Sequence, residues 1–121
     1  MSQKVVAIVG ASTDPAKFGN KAVRAYLRQG WKVYPVTPKD ETIEGLTPVR
    51  SVADVPEPID RVVFYLPPAA GMKVLADVAA KGTDELFISP GAESDELLAE
   101  ARRLGLQPIQ ACAIVSIGER P

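Results

Sequence analysis

The sequence of 121 residues predicts one doubly wound α/β domain, a parallel sheet of about five strands with helices on both faces. Three observations predict it. Short β-branched runs alternate with longer amphipathic stretches. The amphipathic stretches stop on glycines, at Gly30, Gly82 and Gly105. The first run, Val5 to Val9, is apolar at every position, as a strand covered from both sides should be.

The elements follow in order. Lys4 to Val9 reads as the first strand. Gly19 to Gln29 carries Val23, Tyr26 and Leu27 at helical spacing between Lys21, Arg24 and Arg28, and so reads as a helix on the sheet. Trp31 to Val36 returns to β character, and the strand-helix-strand spacing suits a parallel crossover unit. Residues 39–58 hold Pro48, Pro56, Pro58 and Gly45, which break any long helix; an extended connection is expected there, with a short turn or helix at Ser51 to Val55. Asp60 to Leu66 is the next strand, stopped by Pro67 and Pro68. Ala69 to Lys81 is a helix with Met72, Leu75, Ala76 and Ala79 on one stripe. Glu85 to Ser89 is a fourth strand, Glu93 to Leu104 a third helix and Leu106 to Gln110 a fifth strand. No internal repeat or linker interrupts residues 1–121, so the chain reads as a single Rossmann-like domain.

Composition narrows the function. Apolar residues are 46% and charged residues 24%, the balance of a folded globular domain. The run at Val5 to Val9 is far shorter than the ~18 residues of a membrane span, so neither a membrane segment nor a signal peptide is expected. With no histidine and one cysteine, Cys112, the chain lacks the commonest general base, a serine-histidine pair and a zinc-ligand cluster. No catalytic residue and no metal ligand is assigned. The unpaired cysteine suits a reducing cytoplasm. A net charge of −1 argues against nucleic acid as a partner.

In a parallel sheet, the loops leaving the carboxyl ends of the strands share one edge, and ligands bind there where the strand order switches. Four segments qualify: Gly10 to Phe18, Val36 to Lys39, Leu66 to Pro68 and Ser89 to Ala92. The first opens like a dinucleotide-binding turn, but five residues separate Gly10 from Ala16-Lys17-Phe18-Gly19, and the Gly-x-Gly-x-x-Gly spacing is lost. It still leads into a helix start, whose free amides suit phosphate. Ser12 and Thr13 add hydroxyls, Lys17 and Lys21 add charge, and Gly10 and Gly19 allow close approach. The second strand ends without the acidic residue that holds the ribose of NAD; Lys39 stands nearby instead and favours an extra phosphate. Pro67 and Pro68 stop a strand and start a helix, and also offer an apolar wall. Glu93, Ser94, Asp95 and Glu96 read as the acidic first turn of the third helix.

Three ordered motifs carry a resemblance: Val36-Thr37-Pro38-Lys39, Tyr65-Leu66-Pro67-Pro68, and the loop Gly-Ala-Ser-x-x-Pro-x-Lys-x-Gly-Asn from Gly10 to Asn20. Together they resemble the CoA-binding domain family, which includes small stand-alone proteins and the N-terminal domain of the succinyl-CoA synthetase alpha subunit. The resemblance covers nearly the whole chain. It implies coenzyme A or an acyl-CoA as ligand. Gly10, Ser12 and Lys17, with Gly19 and Asn20 closing the same loop, would lie near its phosphates. Val36, Thr37, Pro38 and Lys39 would meet the adenosine end, and Tyr65, Leu66, Pro67 and Pro68 would follow the nucleotide or pantetheine. Ser89 would stand near the reactive end, and Cys112 is a candidate for a mixed disulfide with the CoA thiol.

The function expected is therefore a non-catalytic binding, sensing or carrier module that senses or stores this small-molecule nucleotide or presents it to a partner enzyme. The alternative is an NADP(H)-binding redox enzyme or sensor subunit, for which Tyr65, Asp14 and Lys17 are the polar candidates. A third reading is an interaction module whose pocket Phe18 or Tyr65 has closed.

Overall fold

The computed structural model describes residues 3–121. Five parallel strands, β1 (Val5–Val9), β2 (Lys32–Val36), β3 (Ile59–Phe64), β4 (Thr83–Ile88) and β5 (Pro108–Gln110), lie in the order β2-β1-β3-β4-β5. Three helices connect them: α1 (Phe18–Arg28), α2 (Pro68–Lys81) and α3 (Asp95–Arg103). The doubly wound α/β architecture is the one expected, and its order switches between β1 and β3.

Alternation along each strand sends successive side chains to opposite faces. Val6 and Ile8 join Val63, Phe87 and the α1 residues Ala22, Val23 and Tyr26 on one side. Ala7 and Val9 join Val62, Phe64, Leu86 and Ile88 against Leu75 and Val78 of α2 and Leu97 and Ala101 of α3 on the other. Every residue of β1 is buried, because β1 has a strand on each side and a helical layer on each face.

The chain after β5 packs on the α1 side. Tyr26 donates its hydroxyl to the Ala113 carbonyl at 2.8 Å, and Arg61 Nη1 donates to the Tyr26 oxygen and to Ser116 Oγ, each at 3.0 Å. The same guanidinium pairs with Glu85 at 2.9 Å and lies 4.3 Å from the centre of the Phe87 ring. This buried charge is thus paired and hydrogen-bonded, the condition for placing one in a core.

Element boundaries differ from expectation for identifiable reasons. Trp31 and Leu106 begin no strand, because each belongs to the stop of the preceding helix. The Trp31 amide donates to Tyr26 O at 3.0 Å and the Leu106 amide to Ala101 O at 2.9 Å, reaching back over Gly30 and Gly105 in the left-handed conformation. Helix α3 starts at Asp95, after Ser94, whose Oγ accepts from the Leu97 amide. Glu93 lies outside the helix and accepts from the Gly91 amide at 3.0 Å. Helix α1 starts one residue early, at Phe18, and ends at Arg28; α2 starts at Pro68, which occupies a first-turn position where a missing amide costs nothing. Strand β4 starts at Thr83, paired with Ile59, while β3 ends at Phe64, so Leu66 lies in the following loop.

The proline-containing connection after β2 is more ordered than an extended loop. Ile43 and Leu46 exchange two backbone hydrogen bonds of 2.9 Å around Glu44 and Gly45, both at positive φ. That pair of left-handed residues defines a tight turn of the mirror-image kind, in which Glu44 takes the less favourable role. The chain then runs along β2: the Val49 amide donates to Pro35 O at 2.9 Å, and Val49 O accepts from the Thr37 amide at 3.0 Å. A single short turn, Val52–Asp54, follows, with Ser51 Oγ accepting from Ala53 N.

Candidate functional site

The carboxyl edge of the sheet carries three adjoining cavities that share Gly10 and Leu66. The first, about 540 Å³, lies between the start of α1 and the loops after β3 and β4, with Lys17, Phe18, Gly19, Pro67, Pro68, Ser89 and Gly91 on its walls. The second, about 260 Å³, lies between Ala11, Ser12, Thr13 and Lys17 on one wall and Thr37, Lys39, Glu41 and Ile43 on the other. The third, about 150 Å³, lies beside Val36, Thr37 and Pro38, with Arg50, Ser51, Val74 and Asp77.

Two glycines make this trough possible. A Cβ on Gly19 would lie 2.3 Å from the Gly10 carbonyl oxygen, and one on Gly10, whose φ is +88°, would lie 2.8 Å from the Tyr65 carbonyl oxygen. Neither distance admits a carbon atom. The loop after β1 therefore folds directly onto the first turn of α1 and against the loop after β3, where the strand order switches.

The helix ends facing the first cavity lack side-chain caps. Lys17 is the cap residue of α1 and Pro67 that of α2, and neither accepts a first-turn amide through its side chain. The Asn20 and Lys21 amides use Lys17 O and the Gly71 amide uses Pro67 O. The amides of Phe18, Gly19, Ala69 and Ala70 have no acceptor among the described residues. Such amides, at the positive end of a helix, are donors for an anion. Lys17 lines both larger cavities and Lys39 the second, adding two exposed cations.

Two side chains on the walls of the first cavity carry buried hydroxyls. Ser89 is 3% exposed, and neither its Oγ nor the buried Tyr65 hydroxyl meets a hydrogen-bond partner in good geometry. Burial pushes the Tyr65 phenol well above its ordinary value of 10.0, against a small opposing effect of the nearby Ser89 hydroxyl. Tyr65 therefore stays neutral and is a donor rather than a base. Cys112 is half-buried on the α1 side near Tyr65 and lines none of the three cavities. Phe18, 53% exposed, stands on the rim of the first cavity and leaves it open.

The CoA-contact residues expected from the sequence line this trough except Asn20, while the further candidates Cys112 and Asp14 lie outside it. The Asn20 side chain is 0% exposed and sits beneath the loop, where Nδ2 donates to Ser12 O at 3.0 Å. Four other polar residues on the walls escaped the sequence reading as site residues. Glu41 lies on the wall of the second cavity, just ahead of the turn at Glu44 and Gly45. Arg50, Ser51 and Asp77 reach the third because Val49 pairs with β2 and α2 crosses behind it. A free Gly after an acidic residue, as in Glu44-Gly45, was the one available signal for that turn.

With the geometry established, comparison with known proteins decides the family. A family model described as a CoA binding domain matches residues 4–118. The chain belongs to that family. Within the CoA binding domain family it is similar to the acetate–CoA ligase (ADP-forming) II subunit alpha of Pyrococcus furiosus, 31% identical over 84 residues, which are 69% of this chain and 18% of the relative. It is also 37% identical over 79 residues to the acetate–CoA ligase (ADP-forming) of Methanocaldococcus jannaschii, covering 65% of this chain and 11% of that one. The chain thus spans less than a fifth of these two relatives. Among solved structures, a conserved hypothetical protein from Pyrococcus furiosus matches with a TM-score of 0.82 and 34% identity over 95% of this CoA binding domain and 99% of that chain. The dinucleotide-forming acetyl-coenzyme A synthetase 1 of Ca. Korarchaeum cryptofilum, in complex with phosphate and ADP, matches with a TM-score of 0.74 and 30% identity over 89% of this chain and 25% of that one.

No group of three or more histidine, cysteine, aspartate or glutamate side chains is poised to hold a metal among the described residues. No helix there is long and apolar enough to cross a membrane.

Proposed function

We propose that this chain binds coenzyme A or an acyl-CoA along the carboxyl edge of its sheet and acts as a non-catalytic binding, sensing or carrier module. The observation that carries the reading is the convergence of two uncapped helix starts, α1 and α2, and the Lys17 ammonium on one open cavity. CoA is polyanionic at its nucleotide end and has a long thin arm. The donors at Phe18 and Gly19 suit its phosphates, with Lys17 and Lys39 supplying charge at either side of the second cavity. Pro67, Pro68 and Leu66 give the arm an apolar wall.

The relatives named as acetate–CoA ligases are several times longer than this chain, and we assign it the task of holding the ligand for a partner enzyme. The site walls supply binding groups, while the neutral Tyr65 phenol cannot serve as a base near neutral pH.

The test is calorimetric titration of ligand-stripped protein with CoA, acetyl-CoA, NAD and NADP, with Lys39→Ala alongside. The expected result is binding of CoA or acetyl-CoA, weakened by Lys39→Ala, with neither dinucleotide competing. Binding of NADP in preference to CoA would replace this reading by a redox subunit, and no binding at all would leave an interaction module.

A further inference from the structure

We infer that Asn20 is a positioning residue whose amide aims the Thr13 backbone N–H at a phosphate oxygen of the ligand. The inference rests on the CoA reading above and adds a role to a side chain that cannot touch the ligand itself.

Asn20 is fully buried beneath the loop after β1 and uses both ends of its amide. Nδ2 donates to Ser12 O at 3.0 Å and to Glu44 Oε2 at 3.1 Å, while Oδ1 accepts from Arg24 Nε at 2.8 Å. The amide has one orientation only. Reversed, it would set its oxygen against the Glu44 carboxylate and its NH₂ against the Arg24 guanidinium. Arg24 also donates to Pro15 O at 2.9 Å, so the loop is tied to α1 at two carbonyls.

The consequence for Thr13 follows from peptide geometry. The chain contains no cis bond, and across a trans peptide the carbonyl of residue 12 and the N–H of residue 13 point in opposite directions. Holding Ser12 O inward on Asn20 turns the Thr13 N–H outward. Thr13 lines the second cavity, and its amide has no acceptor among the described residues. Glu44 contributes from the tight turn after β2: it is the one non-glycine residue at positive φ among those described, at 50°, and its carboxylate anchors the Asn20 amide from the side opposite Arg24. A residue held in that conformation by a buried amide is understandable if the turn must stay where Asn20 can reach it.

The experiment is amide NMR on the full chain during titration with CoA, for the wild type, Asn20→Asp and Glu44→Gly. Asn20→Asp keeps the shape and the Arg24 pairing but cannot donate to Ser12 O. It should weaken CoA binding about tenfold or more, and abolish the downfield movement of the Thr13 proton expected on saturating the wild type. Glu44→Gly relieves the left-handed backbone and removes the Glu44 anchor. It should hold or raise the melting temperature while lowering affinity a fewfold, a split that a merely structural role would not produce. If Asn20→Asp fails to fold, Glu44→Gly decides alone. A wild-type Thr13 amide unmoved at CoA saturation, or variants that bind like the wild type, would overturn this inference and leave the CoA reading standing. Failure of the wild type to bind CoA would overturn both.

Discussion

The first turns of α1 and α3 meet the same problem with opposite residues. Helix α3 satisfies its own start: Ser94 accepts from the Leu97 amide, and Asp95 and Glu96 oppose the positive end of the helix. Helix α1 has Lys17 at the equivalent place, no side-chain cap and no acidic residue in its first turn. Capping α1 would stabilise the chain and consume the donors that an anion needs. The difference separates a helix end satisfied by its own residues from one whose first amides stay free.

The largest effect should come from closing the space that this openness depends on. Gly19→Ala places a carbon 2.3 Å from the Gly10 carbonyl. It should cost about 3 kcal/mol or more of stability in urea denaturation, with CoA binding lost as well; a stable, binding-competent variant would show that the loop does not need to pack on α1. Next in size, Lys17→Asp transplants the α3 solution onto α1. Affinity for CoA should fall roughly a hundredfold, while thermal stability rises by about 0.5–1 kcal/mol. Unchanged affinity would dissolve the contrast between the two helices. Ser94→Ala makes the reciprocal change and should lose about 1 kcal/mol of stability with CoA affinity intact.

The smallest effect lies at the other end of α1. Glu119 accepts from Gln29 Nε2 at 2.6 Å and from Arg28 Nη2 at 2.8 Å, contacts that hold its carboxyl below the ordinary value of 4.5. A folded-state value below the unfolded one means stability that is present at neutral pH and lost as pH falls through the folded value. Hydrogen-exchange protection in residues 113–119, relative to the intrinsic rate at each pH, should therefore fall below pH 4.5. Glu119→Gln should flatten that dependence, and a profile that stays as steep in the variant would assign the loosening to another group.

Much of this was legible in the sequence. Short β-branched runs, glycine stops and strand-helix alternation specify the sheet, because each is a local property of consecutive residues. The site was legible as far as it is made of loops at strand ends, which is why Gly10, Lys17, Thr37, Lys39, Pro67 and Ser89 all line the trough. Contributions that depend on a partner far along the chain were hidden. Asn20 looked like a ligand contact because it closes the loop motif; only the positions of Ser12 O, Arg24 and Glu44 show that it lies beneath the loop. Arg50 and Asp77 were unreadable for the same reason, since the chain must first return along β2 to bring them in. Trp31 and Leu106 were mistaken for strand residues because an apolar residue after a helix-ending glycine packs back on the helix, and looks the same as the first residue of a strand.

The return of Val49 along β2 has a consequence for how this molecule meets others. Residues 32 and 36 of β2 turn their backbone groups toward β1, so residues 33, 35 and 37 face outward. Pro35 has no N–H and its carbonyl is taken by Val49, while the Thr37 amide is already donated to Val49 O. At the far side of the sheet, β5 is only three residues long and starts with Pro108. Both margins are thus poor templates for an added strand, which guards the chain against edge-to-edge aggregation. A protein that docks here must do so through side chains and helices, leaving the sheet at five strands.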